Sequence, residues 1–257
     1  MRALAITAAA LLAGCSPPAA LPAPAAPTLA EWQRALGKLA ILRRDAALAR
    51  TLRIALELRE PRTGKVLTAR GAVAVLPPRA LRMILLGPGG TTALDLWVDG
   101  GSYRFAVPAI DLHKRGDLGG PRGERRGLPV DFLAFWLLRP AAGQLLWHGR
   151  EQGGDRFVLR DGAAVVDLRT LPGGRLAARR STWSAPAPTG DAPAELLDEE
   201  TVTADTLGCG EVHYHQRSTG LDVTVRCEGE TAGDPPARAL ADPDGDPDAS
   251  RDAGAPP

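Results

Sequence analysis

The chain has 257 residues and little of what catalysis and metal binding use: three Cys, four His, two Tyr and four Phe. It contains no Gly-x-Ser-x-Gly elbow, no phosphate-binding glycine loop, no His-Glu-x-x-His and no Cys-x-x-Cys. The hydrolase, nucleotide-binding, metalloprotease and thioredoxin-like classes that those motifs mark therefore have no local support. Charge of one sign is also missing. Lys and Arg total 31 against 30 Asp and Glu, a net charge of +1, so there is no basic surplus to hold a nucleic acid. No apolar run reaches the roughly 20 residues that span a bilayer. His213 and His215 share a strand face, but no further Cys, Asp or Glu stands at ligand spacing, so no metal is expected. In Asp242–Asp248, acidic residues alternate as in a calcium loop. Pro247 occupies the loop's glycine position, however, and no Glu closes it. No cofactor and no catalytic residue is assigned, and a hydrolase using unrecognised carboxylates is the weakest reading.

What is present begins at the N-terminus. Arg2, an apolar run from Ala3 to Leu12, and the small residues Ala13 and Gly14 make a secretory signal. Cys15 directly after them makes Leu12-Ala13-Gly14-Cys15 a lipobox, the pattern of bacterial lipoproteins. That pattern implies a signal peptide over 1–14, a lipidated Cys15 and attachment to a membrane. Two or more acyl chains anchor stably where one does not. The rival readings are a plain secretory signal with a chance Cys, or a misplaced start. Residues 15–27 form a Pro/Ala-rich stalk, semi-rigid because proline favours an extended backbone. Ser16, rather than Asp, follows the Cys, which under the enterobacterial sorting rule points to the outer membrane.

Thr28 and Glu31 spell a capping box before Leu29, Trp32, Leu36, Leu39 and Ala40, so a helix of about three turns is expected. The period then changes to two. Leu52, Ile54, Leu56 and Leu58 alternate with Arg53, Ala55 and Glu57, a strand with one buried face. Further strands are expected over 66–76, 80–86, 91–98 and 102–107, separated by Pro- and Gly-rich turns that include the hairpin signal Asp99-Gly100-Gly101. Short connections between successive strands mean an antiparallel meander. Residues 111–127 read as a cationic surface loop. Leu128–Leu138 is the most apolar stretch, opened by Pro129 and stopped by Pro140, and a helix apolar on nearly every side must be buried. Its simplest place is inside a curved sheet. A second meander follows over 144–149, 155–160, 163–171 and 175–183. Beyond a loose insertion at 186–194 come short strands near 200–204, 211–216 and 221–227.

Export implies an oxidising compartment, where Cys209 and Cys227 are expected to bond. A three-residue loop centred on Ser218 places His213 opposite Val223 and Cys209 opposite Cys227 on the final hairpin. From Thr231 the chain has no aromatics, and 231–257 reads as a disordered acidic tail.

The order of lipobox, stalk, short helix, meander, apolar helix and second meander resembles the LolA/LolB-like lipoprotein-carrier superfamily over about Leu29 to Trp183. Gly127-Leu128-Pro129-Val130 through Trp136-Leu137-Leu138-Arg139-Pro140-Ala141 is similar to the Pro-containing helix of the LolB branch. Leu85-Leu86-Gly87-Pro88-Gly89-Gly90-Thr91 resembles the turn between the family's third and fourth strands. The resemblance implies a mainly β (α+β) fold over 28–230: an incomplete antiparallel β-barrel, or half-barrel, with helices covering the concave face. Where LolB carries an exposed Leu at a loop tip, this chain has Gly89, so that apolar wedge is absent. The implied function is a non-enzymatic one, binding acyl chains or a lipoprotein's lipid in a cavity bordered by Trp97, Phe105, Phe132, Phe135, Trp136 and Trp147. Its partners would be the membrane, reached through the N-terminal lipid, and a hydrophobic ligand, with no nucleic acid. The alternative is a structural envelope lipoprotein whose half-barrel is filled by its own side chains and whose loops and tail meet protein partners. Cavity volume separates the two: a few hundred cubic ångströms, on the order of 300 Å³ or more, favours binding.

Overall fold

The computed structural model describes residues 27–59, 61, 63–120, 128–151, 153–184 and 195–245. The signal, Cys15 and most of the stalk lie outside the described residues, as do 121–127 of the cationic stretch and the insertion at 186–194.

The capping box forms. Thr28 Oγ1 accepts from Glu31 N at 3.3 Å, and Glu31 Oε2 accepts from Thr28 N at 2.8 Å. It starts helix α1 (Leu29–Ala46), which runs for 18 residues rather than about three turns. The extra length is held from outside: Arg43 Nε donates to the Ala141 carbonyl at 2.9 Å, and its Nη2 donates to that of Gly143.

Among the described residues thirteen strands follow: β1 (Arg50–Arg59), β2 (Val66–Leu76), β3 (Ala80–Leu86), β4 (Thr92–Asp99), β5 (Ser102–Val107), β6 (Leu112–Asp117), β7 (Gln144–Glu151), β8 (Gly154–Asp161), β9 (Ala164–Thr170), β10 (Leu176–Trp183), β11 (Leu196–Ala204), β12 (Glu211–Gln216) and β13 (Leu221–Ala232). They make one sheet in the order β6-β5-β4-β3-β2-β1-β13-β12-β11-β10-β9-β8-β7. Each half is a meander. The halves join at one long-range seam, where β13 returns to pair antiparallel with β1 from Arg50↔Ala232 to Arg59↔Asp222. The sheet is open, with β6 and β7 as its edges.

That topology positions the apolar helix α2 (Val130–Leu138). It lies between β6 and β7 in the chain, so the connection must cross from one edge of the sheet to the other. One apolar cluster takes in α2, Met83, Leu96 and Phe105 from the first half, and Phe157, Val166, Val202 and Val223 from the second. Both halves can reach one helix only if the sheet curls around it. The architecture is the expected mainly β half-barrel, with α2 on its concave face.

Several local expectations are corrected. Leu112–Asp117, read as part of a loop, is the edge strand β6. Its run of His113, Lys114 and Arg115 hides the strand signal and suits an edge that must not pair with another chain. Strand β11 begins at Leu196, and β13 continues to Ala232. The disulfide Cys209–Cys227 is present, with Cα atoms 5.1 Å apart. The hairpin register, however, is one residue from that expected: His213 faces Thr224, and Gln216 faces Leu221, because the loop holds four residues rather than three. Cys209 stands just before β12 instead of in the ladder. The stretch from Thr231, expected to be disordered, finishes β13, forms the short helix α3 (Ala237–Leu240) and lies on the sheet to Gly245. Residues 246–257 lie outside the described set.

Candidate ligand-binding cleft

Helix α2 supplies the centre of the site. Its chain begins at Pro129, whose carbonyl accepts from Leu133 N at 2.9 Å, and eight of its nine residues are buried, Asp131 being the exception. Phe132 stacks on Tyr214 of β12, with ring centroids 3.8 Å apart and planes at 17°. Tyr214 Oη donates to Glu200 Oε1 at 3.1 Å, and Arg180 Nη1 donates to Glu200 Oε2 at 2.8 Å. The Arg180 guanidinium in turn stands 5.8 Å from the Phe135 ring centroid. A closed circuit therefore runs from α2 through Tyr214, Glu200 and Arg180 back to α2. Beside it, Gln216 Nε2 and the Ser218 backbone N–H donate to the buried Asp198 carboxylate at 2.6 and 3.2 Å. Burying charge is costly unless it is paired and hydrogen-bonded: Glu200 is paired with Arg180, and Asp198 accepts from neutral donors, while Arg180 Nε has no hydrogen-bond partner among the described residues.

This circuit was not anticipated, yet a signal for it existed. On β11, Asp198 and Glu200 take the same parity as Val202 and Ala204, so two carboxylates occupy inward positions.

Next to α2, an apolar cleft lies against β1, β2, β3, β12 and β13, lined by Leu52, Ile54, Val73, Met83, Phe132, Trp136 and Val212 among others. Its volume is about 30 Å³, room for roughly two water molecules. It is therefore closed around its own side chains, not open to the few hundred cubic ångströms that an acyl-chain site requires. The charged side chain in its lining is Arg50, 4% exposed. Arg50 Nη2 donates to the Leu207 carbonyl at 3.0 Å, Glu230 stands 3.9 Å from Nε, and Nε has no hydrogen-bond partner among the described residues. Burial lowers the Arg50 pKa, with Glu230 opposing.

Of the six aromatic residues expected at the cavity, Phe105, Phe132, Phe135 and Trp136 lie on the concave face. Trp97 and Trp147 do not. Trp97 alternates with Leu96 and Val98, which enter the core, so it faces the other side, where its Nε1 donates to the Leu240 carbonyl at 2.8 Å. Trp147 follows a register shift after Leu145, 37% exposed, with Arg156 5.6 Å from its ring centroid. A bulge re-aims the side chains beyond it, and nothing local in the sequence announced this one.

A second opening of about 570 Å³ lies between α1 and β7, with Trp32, Arg34, Lys38, Trp147, His148 and Arg150 at its walls. Lys38 Nζ donates to Asp155 Oδ1 at 2.6 Å, and His148 Nε2 lies 3.0 Å from the same oxygen. Burial raises the Asp155 pKa, but the hydrogen bonds from Lys38 and His148 outweigh it and leave the carboxyl below its ordinary 3.8. This opening has a mixed wall, with Trp32, Ala35 and Trp147 beside Arg34, Lys38 and Arg150, and it lies at the β7 edge of the sheet, apart from the trough that α2 fills.

His213 and His215 are exposed, each held by a neighbour: Thr224 Oγ1 lies 3.1 Å from His213 Nδ1, and Asp222 Oδ1 lies 2.7 Å from His215 Nδ1. Among the described residues, no three His, Cys, Asp or Glu side chains are grouped as if to hold a metal ion.

The fold and its cleft define a class, the open antiparallel half-barrel wrapped around an apolar helix. No family model matches the chain, and no curated protein matches it. Among solved structures it is similar to a LolA superfamily protein from Nitrosomonas europaea, at 11% identity over 79% of this chain and 96% of that one, with a TM-score of 0.46. It is similar also to an outer membrane lipoprotein-sorting protein domain from Vibrio parahaemolyticus, at 10% identity over 76% and 91% of the two chains, with a TM-score of 0.42. A DUF1329 family protein from Desulfovibrio piger is similar at 10% identity over 80% and 95%, with a TM-score of 0.39.

Proposed function

We propose that this protein is a lipid-anchored envelope lipoprotein that takes an acyl chain, free or on another lipoprotein, into the trough now filled by α2. The observation that carries the reading is the placement of α2. It is an insert between the two halves of an open sheet, not part of a closed wall, and it covers a face that is mainly apolar on both halves, with the Arg180–Glu200–Tyr214 circuit as a polar island in the second. Moving it aside uncovers apolar surface that an acyl chain would cover again, at roughly 25 cal/mol per Å². Arg50, buried with an unsatisfied Nε at the edge of that surface, suits the anionic end of such a chain.

The anchor is the lipobox at Cys15, and Ser16 in place of Asp favours the outer membrane. Labelled palmitate incorporation into the full chain, lost in Cys15→Ser, tests the anchor. Fractionation of the two membranes tests the address.

A second reading, a filled half-barrel acting as a structural envelope lipoprotein, is favoured by the cleft's volume of about 30 Å³. A fluorescent fatty acid titrated into the Cys15→Ser chain without detergent separates the two. Saturable binding at one site supports the acyl-binding reading, and its absence supports the structural one.

A further inference from the structure

The face of the sheet turned away from α2 carries a row that register builds. Arg82 of β3 faces Trp97 of β4, Trp97 faces Arg104 of β5, and Arg104 faces Arg115 of β6. Four successive strands thus set three guanidiniums and an indole side by side. Like charges on neighbouring strands repel, so the row requires anions. The sheet itself supplies Asp95, whose Oδ2 accepts from Arg82 Nη2 and Arg104 Nη1, both at 2.9 Å. Arg82 and Arg104 are each only 15% exposed, so water does little to relieve the remaining charge.

That charge is met from the far end of the chain. Arg104 Nε and Arg115 Nη1 donate to Asp244 Oδ2 at 2.9 and 3.0 Å, and Arg115 Nη2 donates to Asp242. Trp97 Nε1 donates to the Leu240 carbonyl at 2.8 Å, and Arg82 Nη1 to that of Ala241 at 3.4 Å. The segment 240–244 therefore lies across the row with its main chain against Trp97 and Arg82 and its carboxylates on Arg104 and Arg115. The Asp244 backbone N–H, followed by Arg115 and Arg104, holds the Asp242 carboxyl below its ordinary range despite some burial, so it stays charged.

We propose that the Arg82–Trp97–Arg104–Arg115 row is a docking face for an acidic turn of a partner protein, with Asp or Glu at alternate positions, and that residues 240–244, whose Asp242 carbonyl accepts from Gly245 N at 3.1 Å, are its resident occupant. The occupant shows which chemistry fits. Its Arg115 pairs are displaceable: Asp242, Asp244 and Arg115 are 33%, 42% and 46% exposed, and ion pairs this open to water contribute little, while Arg104, 15% exposed, is the contact that an incoming carboxylate must take over from Asp244. What keeps the tail in place is its tether, which supplies an effective concentration on the order of millimolar. Displacement would uncover a tryptophan among arginines, the residue types that anchor protein interfaces.

The test is fluorescence anisotropy of a labelled synthetic peptide copying residues 239–245. It is titrated against the full Cys15→Ser chain, the same chain with Asp242→Asn and Asp244→Asn, and that chain with Arg115→Ala added. The expected result is at least tenfold tighter binding to the double-Asn chain than to its parent, with the gain lost on adding Arg115→Ala and lost at about 0.5 M salt. Arg115 is on the exposed edge strand, so its removal leaves the core intact. Equal binding by all three chains, or none by the double-Asn chain, overturns the proposal. So does a double-Asn chain that gains affinity for phosphatidylglycerol vesicles but not for the peptide, which would assign the row to a lipid surface.

Discussion

Phe132 of α2 lies flat on Tyr214 of β12, and this stack is the point at which the inserted helix meets the buried polar circuit of the second meander. The two side chains make different predictions. Phe132→Ala removes buried ring volume and is expected to cost about 3–5 kcal/mol. Tyr214→Phe keeps the stack but takes a donor from the buried Glu200, at about 1–3 kcal/mol. Urea unfolding at neutral pH checks both, with a lower midpoint and an unchanged slope for the second.

The Cys209–Cys227 bond closes a loop of 18 residues by sequence separation. In the chain-entropy account it contributes about 3 kcal/mol. The double variant Cys209→Ser, Cys227→Ser should lose that amount in denaturant unfolding. Dithiothreitol should lower the parent to the same midpoint and leave the variant unmoved.

Two partly buried carboxylates, Asp155 and Asp167, contribute to the acid limb of stability. Asp155 is held below its ordinary pKa by Lys38 and His148 against the opposing effect of burial. Asp167 is held low in the same way, by Arg169 and Arg156 against burial. A depressed folded-state pKa contributes stability that is fully present above the unfolded value of 3.8 and is lost as pH falls through the folded value. Stability should therefore begin to fall below about pH 5 and continue falling under pH 4. Lys38→Met should be less stable than the parent near neutrality, and the two should converge by about pH 2–3. Urea midpoints across that range measure it.

Two glycines should respond in opposite directions. A Cβ on Gly71 would stand 1.9 Å from the Ile84 carbonyl oxygen, so Gly71→Ala must part β2 from β3 and should cost about 3 kcal/mol. Gly37 in α1 has nothing within 4 Å of the same position, and Gly37→Ala should gain about 0.5–1 kcal/mol. Thermal melts of the pair, side by side, check the contrast.

What was legible in the sequence was whatever rests on near neighbours. Leu52, Ile54, Leu56 and Leu58 announce a half-buried strand, Thr28 and Glu31 a helix start, and Asp99-Gly100-Gly101 a hairpin, with Gly100 and Gly101 both at positive φ. The burial of α2 follows from its composition alone. The β1–β13 seam was not legible, because a pairing across most of the chain leaves no local mark. Residue type alone puts Trp97 at the cavity, but the alternation of Leu94, Leu96 and Val98 puts it on the opposite face. Trp147 was misplaced by a bulge, which composition does not record. The order of the tail to Gly245 is not legible either, because missing apolar residues read as disorder, whereas its contacts with Trp97, Arg104 and Arg115 depend on a row that only strand register assembles. The circuit through Arg180, Glu200 and Tyr214 exists only when three strands are brought together.

The most direct test of the acyl-binding account is hydrogen–deuterium exchange of the Cys15→Ser chain with and without a saturating long-chain fatty acid. If the trough accepts the chain by displacing its helix, the amides of 130–138 exchange faster with ligand present while those of β1 and β2 slow. If 130–138 exchange at the same rate in both samples, the helix is a permanent part of the core and the acyl-binding account is contradicted.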